Sequence, residues 1–158
     1  MNDNGIDCEG EKLEKIKLNE LILEVLLGFY EEFNKRNIEP TTTIPNHEIL
    51  VMADPSAVKR VIENLVLNAV KHSSGNVTIQ LEKLHSSVKL KISNAANLLS
   101  EKDVRHMFDR FYKADQTRAG KGTGLGLPIA KSLMEKMNGS LTAELKGNQL
   151  VMKCEWEN

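Results

Sequence analysis

At 158 residues the chain has the length of one ordinary domain, enough to bury a core without disulfide or metal staples. Hydrophobic residues at 41% and charged residues at 27% exclude a disordered or fibrous chain, because that balance supports a packed core. With 21 basic against 22 acidic side chains the net charge is −1, so no global field draws the protein to nucleic acid or an anionic membrane; any anion site must be local.

Residues 1–17 are polar, and read as a frayed tail or the end of an upstream helix. They lack the basic-then-apolar order of a secretory signal. No apolar run in the chain reaches the about 18 residues a membrane span needs. Asn19 is expected to cap a helix whose stripe is Leu21, Ile22, Val25, Leu26, Phe29 and Phe33, with apolar positions at helical spacing. Residues 41–44 and 49–52 are β-prone and flank Pro45, Asn46 and His47, which predicts two short strands joined by a turn.

Asp54-Pro55 then marks a well-defined helix start, a cap residue followed by proline at the first helical position. Its buried face is predicted to carry Val58, Val61, Ile62, Leu65, Val66 and Ala69. Asn64, Asn68 and Lys71, spaced four and then three apart, share a different face. Ser73-Ser74-Gly75 ends the helix, with the glycine available for a left-handed cap.

Alternation at Val77, Ile79 and Leu81 and again at Val88, Leu90 and Ile92 predicts a hairpin through His85-Ser86-Ser87. A short helix is expected after Ser100, which can cap it, with Glu101 and Asp103 in its first turn. Residues 113–122 have charge, threonine and glycine but no apolar period, the pattern of a mobile loop. A helix over 125–137, stopped by Asn138-Gly139, turns Ile129, Leu133, Met134 and Met137 inward. Leu141, Ala143 and Leu145, then Leu150, Met152, Cys154 and Trp156, form a terminal hairpin across Gly147-Asn148. Together these predict a two-layer α/β sandwich, a mixed and mostly antiparallel sheet packed on three main helices.

Gly120, Gly122, Gly124 and Gly126 alternate directly before that last helix. Glycine lets a backbone approach a ligand closely, and a helix N-terminus points free N–H groups at anions, so phosphate is the natural ligand class. The P-loop and dinucleotide spacings are not met, since neither nearby lysine stands in a Gly-Lys-Ser/Thr run four residues after a first glycine and the GxGxxG frames end on Leu125 or Leu127. A flexible linker with a glycine cap is the alternative. Cys8 and Cys154, the only cysteines, have no metal-ligand or CxxC spacing and fit a reducing compartment.

Three segments, ENLVLNAVKHSS, MFDRFYKAD and GTGLGLPIAK, resemble in order and spacing the asparagine, phenylalanine and second glycine boxes of bacterial sensor histidine kinase catalytic domains. These domains share a superfamily and the Bergerat ATP-binding fold with gyrase B, the Hsp90 chaperone and MutL. The resemblance covers about 18–156, so residues 18–158 read as the catalytic ATP-binding domain. It implies that the chain binds ATP with Mg²⁺, Asn68 being the metal ligand and Asn64 lining the site one turn earlier; an amide carbonyl is a hard oxygen ligand suited to that ion. It further implies phosphate contact for Lys71, a site position for His72 where tyrosine is common, and a phosphate cradle at Gly122, Thr123, Gly124, Leu125, Gly126 and Leu127. Phe108, Phe111 and Tyr112 resemble the aromatic base of a lid that carries Arg118 and Lys121 toward the terminal phosphates, with Arg110 and Lys113 either at phosphate or in surface pairs. Glu63 stands where many members have an acid. A gyrase-like ATPase would carry a glutamate base where Asn64 stands, which argues against efficient hydrolysis.

The sequence departs from the pattern at the first glycine box. Where the family reads Asp-x-Gly-x-Gly, this chain has Asn94 in place of the adenine-binding aspartate, and Ala96 and Leu98 in place of the glycines. An amide oxygen still accepts from the adenine amine, through a weaker bond than a carboxylate makes. The phosphoacceptor is absent too, because His47, His72, His85 and His106 all fall inside the predicted domain. The reading is therefore a catalytic fragment that gives the γ-phosphate of ATP to a histidine on an upstream dimerisation domain. Its other expected partner is a response regulator. No direct membrane contact is expected of the fragment, which would be the cytoplasmic part of a membrane sensor. The alternative is a degenerate nucleotide-binding or interaction module.

Overall fold

The computed structural model describes residues 13–97, 99–109 and 126–157. In chain order its elements are β1 (Glu14–Lys17), α1 (Leu18–Gly28), α2 (Tyr30–Lys35), β2 (Thr41–Thr43), β3 (Leu50–Ala53), α3 (Pro55–His72) and β4 (Val77–Lys83). There follow β5 (Ser87–Ala95), α4 (Glu101–His106), α5 (Gly126–Lys136), β6 (Ser140–Lys146) and β7 (Gln149–Glu157). The main sheet runs β2-β4-β5-β7-β6, parallel only between β2 and β4, and β1 pairs with β3 in a separate two-stranded ribbon. Strict alternation along β4, β5 and β7 sends Val77, Ile79, Leu81, Leu90, Ile92, Leu150, Met152, Cys154 and Trp156 into one buried face. α3 packs against both α1 and α5, so the three long helices cover that face as one layer. The result is the expected two-layer sandwich with a mixed, mostly antiparallel sheet.

α3 forms as the local signals predict. Asp54 accepts a hydrogen bond from the Ser56 N–H at 3.0 Å, Pro55 opens the first turn, and all six predicted inward residues are buried together with Val70. α4 starts on a capping box, Ser100 and Asp103 each taking the other's backbone N–H. Both predicted hairpins, β4–β5 and β6–β7, pair in register, and Gly147 takes the left-handed φ of +61° that the second turn requires.

Four local expectations change. Asn19 does not cap α1, whose N-cap is Lys17; its amide donates to the carbonyls of Pro45 and His47, both at 3.0 Å, and accepts from the Ile49 N–H at 2.7 Å. Strand propensity marked residues 41–44 and 49–52 without choosing their partners: β2 joins β4 in the main sheet, while β3 pairs with β1, drawn from the segment that reads as a polar tail. The predicted first helix is interrupted at Phe29, φ −103° and ψ 9°, leaving α1 and α2. The left-handed glycine cap expected at Gly75 is replaced by a serine-held turn. Ser73 Oγ donates to the Asn76 carbonyl at 2.9 Å and accepts from the Gly75 N–H at 3.1 Å, so no positive φ is needed there.

At the end of α5 it is Asn138 that turns left-handed, φ 63°, and the Gly139 N–H closes on the Met134 carbonyl at 2.8 Å. Gly139 serves a different need. A Cβ there would lie 2.7 Å from the Glu155 carbonyl oxygen of β7 and 2.8 Å from Met134 Cε, so its bare backbone is what lets the helix end approach the sheet.

Candidate functional site

The periodicity that buries one face of α3 leaves Asn64 and Asn68 half-buried on its flank and Lys71 and His72 exposed in its last turn. Asn64 is held, because its Nδ2 donates to the carbonyl of Gly126 at 3.0 Å. Gly126 is the first residue of α5, so this bond ties the asparagine helix to the start of the glycine-box helix. A side chain and a backbone 62 positions apart are thereby brought together. Leu127, half-buried, packs on the core one residue further along.

The far end of α3 meets the end of β5. The Ser74 N–H donates to the Ala95 carbonyl at 2.8 Å, the Ala95 N–H to the Asn76 carbonyl at 3.3 Å, and the Asn97 N–H to Ser74 Oγ at 3.4 Å. These bonds hold the turn that follows Lys71 and His72 against the end of β5, which carries Asn94. Asn94, opposite Val77 and Leu150 in the sheet, is 1% exposed. Its Nδ2 donates to the Ala95 carbonyl at 3.0 Å, while its Oδ1 is buried with no hydrogen-bond partner. Ala96, in the place of the family's glycine, buries its methyl in the core, and its N–H donates to the Asn148 carbonyl at 2.7 Å.

Of the residues singled out from sequence, the structure therefore groups Asn64, Asn68, Lys71, His72, Asn94, Gly126 and Leu127 along α3 and its two contacts. Phe111, Tyr112, Arg118, Lys121, Gly122, Thr123, Gly124 and Leu125 lie outside the described residues, as do Leu98, Arg110 and Lys113. Glu63 is half-buried on α3. Among the described residues no group of three or more His, Cys, Asp or Glu side chains converges as a metal site.

Lys131 is a neighbour that the sequence did not single out. Its ammonium lies 5.1 Å from the centre of the Phe108 ring, donates to the Leu141 carbonyl at 3.1 Å and pairs with Glu135 at 3.7 Å. It thus joins α5, the edge strand β6 and the phenylalanine segment. Nothing in local spacing announces this, since Phe108 and Leu141 meet Lys131 only through the fold. Cys154, by contrast, sits in the core of β7, where burial pushes its thiol up from 9.0 to about 12, the mark of an inert structural cysteine.

With this geometry in place, comparison with known proteins decides the family. The profile of the histidine kinase-, DNA gyrase B-, and HSP90-like ATPases matches residues 53–155. The chain belongs to this ATPase family. Within it, similar proteins include sensor histidine kinases and sensor proteins. The sensor histidine kinase YcbM of Bacillus subtilis is 26% identical over 85% of this chain and 44% of its own length. The probable sensor protein PcoS of Escherichia coli is 36% identical over 67% of this chain and 24% of its own length. The chain thus spans less than half of either relative. Among solved structures, a nucleotide-free catalytic domain of the histidine kinase ThkA superposes with a TM-score of 0.82 at 30% identity, covering 92% of this chain and 95% of that one. ThkA in complex with the response regulator TrrA gives 0.79 at 27% identity, over 93% of this chain and 42% of that one. The histidine kinase catalytic fold accounts for the whole arrangement of α3, α5 and the sheet.

Proposed function

We propose that this domain binds MgATP and donates the γ-phosphate to a histidine on a separate dimerisation domain of a two-component sensor kinase. The observation that carries the reading is the buried, unpartnered Oδ1 of Asn94. An acceptor withdrawn from water without a partner costs about 1–3 kcal/mol, and a ligand bearing an amine, such as adenine, relieves that cost. Its Nδ2 is already engaged by the Ala95 carbonyl, so the amide is oriented to accept rather than to donate. The other buried unpartnered atom among the described residues, Trp156 Nε1, lies opposite Val88 at the far end of β5, away from this group.

From the adenine end at Asn94, the α3 face leads through Lys71 and Asn68 to Asn64 and the start of α5. In this reading Lys71 takes a phosphate charge, Asn68 holds Mg²⁺ through its amide oxygen, and Asn64 keeps the first turn of α5 against the asparagine helix. The backbone of residues 122–127 supplies N–H donors to phosphate oxygens. When bound, Mg²⁺ neutralises the charge on the phosphate oxygens. The domain's own contribution is to position the nucleotide and leave its terminal phosphate open to an incoming imidazole, and positioning with charge stabilisation dominates phosphoryl transfer. His72, Phe111, Tyr112, Arg118 and Lys121 complete the proposed site. The response-regulator complex of ThkA supports a response regulator as the downstream partner. In the full-length protein the domain would face the cytoplasm, where ATP is available; no described helix is long and apolar enough to cross a membrane.

Calorimetric titration with MgATP tests the site. The wild-type chain is expected to bind saturably, and Asn68→Ala to lose at least about tenfold in affinity, equivalent to about 1.4 kcal/mol, while binding ATP without Mg²⁺ no worse than wild type. A wild-type chain that ignores MgATP, or an Asn68→Ala chain that binds it unchanged, overturns the assignment and leaves a degenerate interaction module. Transfer of labelled phosphate to a separately supplied dimerisation domain bearing a phosphoacceptor histidine then tests the kinase step.

A further inference from the structure

Lys131 closes the glycine-box segment GTGLGLPIAK, and Phe108 stands in the phenylalanine-box segment MFDRFYKAD. The two meet in space, with the ammonium 5.1 Å from the centre of the ring. At that range a cation is attracted by the negative face of the aromatic system. The same ammonium donates to the Leu141 carbonyl at 3.1 Å and lies 3.7 Å from the Glu135 carboxylate, one turn further along α5. β6, which carries Leu141, ends the main sheet and pairs with β7. One side chain thus ties α5 both to the sheet edge and to the segment that follows α4.

Phe108 is itself held in place. It is half-buried and packs on the core, in a turn where the Asp109 N–H donates to the His106 carbonyl at 2.9 Å and His106 Nδ1 lies 2.9 Å from the Asp109 carboxylate. On the other side, α5 buries Ala130 and Met134 completely, and its first residue, Gly126, accepts from Asn64. Apolar burial has no direction, so Ala130 and Met134 set how deeply α5 sits. Hydrogen bonds and cation–ring contacts are directional and set its slide and rotation. Asn64 of α3 holds the start of α5, and Lys131, about 7.5 Å further along the axis, holds its middle to Phe108 and β6.

We infer, on the MgATP reading above, that Lys131 is a positioning residue of the nucleotide site: it fixes the slide and rotation of α5, and with them the first turn that Asn64 binds. The side chain must be cationic to use the ring face, and must carry a donor for the Leu141 carbonyl. Arginine meets both needs, and methionine, of similar length, meets neither.

Calorimetric titration with MgATP, well below the melting midpoint of each variant, provides the test. Lys131→Met is expected to lose at least about fivefold in affinity, and Lys131→Arg to stay within about twofold of wild type. Lys136→Met removes the same charge from the exposed last residue of α5; it reads the loss of one positive charge alone and should stay within about twofold. Phe108→Leu should weaken binding too, and the double variant Lys131→Met/Phe108→Leu should lose less than the product of the two single losses, because both break one contact. Affinity of Lys131→Met equal to that of Lys136→Met, an equal loss in Lys131→Arg and Lys131→Met, or fully multiplying losses in the double variant overturns the proposal. A lowered melting midpoint of Lys131→Met with unchanged affinity does so as well, because Lys131 then serves the scaffold alone. A wild type that ignores MgATP overturns the nucleotide reading and the role of Lys131 with it, whereas wild-type binding that Lys131→Met retains overturns the role of Lys131 alone.

Discussion

In the proposed site Asn94 is the adenine acceptor, and its Oδ1 is buried without a hydrogen-bond partner. Replacing it by leucine, of similar volume, removes an acceptor that sits in the core without a partner, and the Ala95 carbonyl keeps the Ser74 N–H. MgATP affinity of Asn94→Leu is expected to fall at least about tenfold while the thermal midpoint holds or rises, since an unmade buried hydrogen bond costs about 1–3 kcal/mol. Titration and thermal melts of the same sample check both halves; a lower midpoint with unchanged affinity would place Asn94 in the scaffold alone. Cys154 gives the opposite kind of residue, buried and chemically quiet. Its folded pKa lies above its ordinary one, so the folded chain holds the proton more tightly, and the associated stability, complete below pH 9.0, is lost as pH rises toward about 12. Urea unfolding of wild type and Cys154→Ala across that window should show the steeper alkaline loss in the wild type.

Elements are joined here by a few side chains that local sequence rules assign to other tasks. Asn19 stands where a helix cap is expected and instead holds the segment that leads into β3 by three hydrogen bonds. At a net value of about 1 kcal/mol each, Asn19→Ala should cost about 2–3 kcal/mol, with faster hydrogen exchange concentrated at Ile49 and the adjoining strand. Asp54 is the contrasting case, a cap that acts as one, and Asp54→Ala should lose about 0.5–2 kcal/mol. Gly139→Ala forces a methyl group against the Glu155 carbonyl. Because that oxygen belongs to the backbone of β7 and cannot rotate away, a loss of about 1–3 kcal/mol is expected, measurable as a lower urea midpoint with an unchanged slope.

For the molecule as a whole, one buried cluster runs from Ile16 to Trp156, so nucleotide binding at α3 should stabilise the entire domain. MgATP at about a hundred times its dissociation constant would add about 2.7 kcal/mol, raising the melting temperature of the wild type by more than that of Asn94→Leu, which at about tenfold weaker binding gains only about 1.4 kcal/mol. Much of this molecule was legible in the chain. The inward residues of α3, the β4–β5 and β6–β7 hairpins, the spacing of Asn64, Asn68 and Lys71, and the family itself depend on local periodicity and ordered motifs. Strand partners were not legible, because β propensity reports a pleated, half-buried surface and says nothing of the neighbour; β2 and β3 accordingly sit in different sheets. Nor could spacing foretell the Asn64–Gly126 bond, the contact of Lys131 with Phe108, or the unpartnered oxygen of Asn94. Each depends on which groups distant in sequence are brought together and shut off from water, a matter decided only when the layers close.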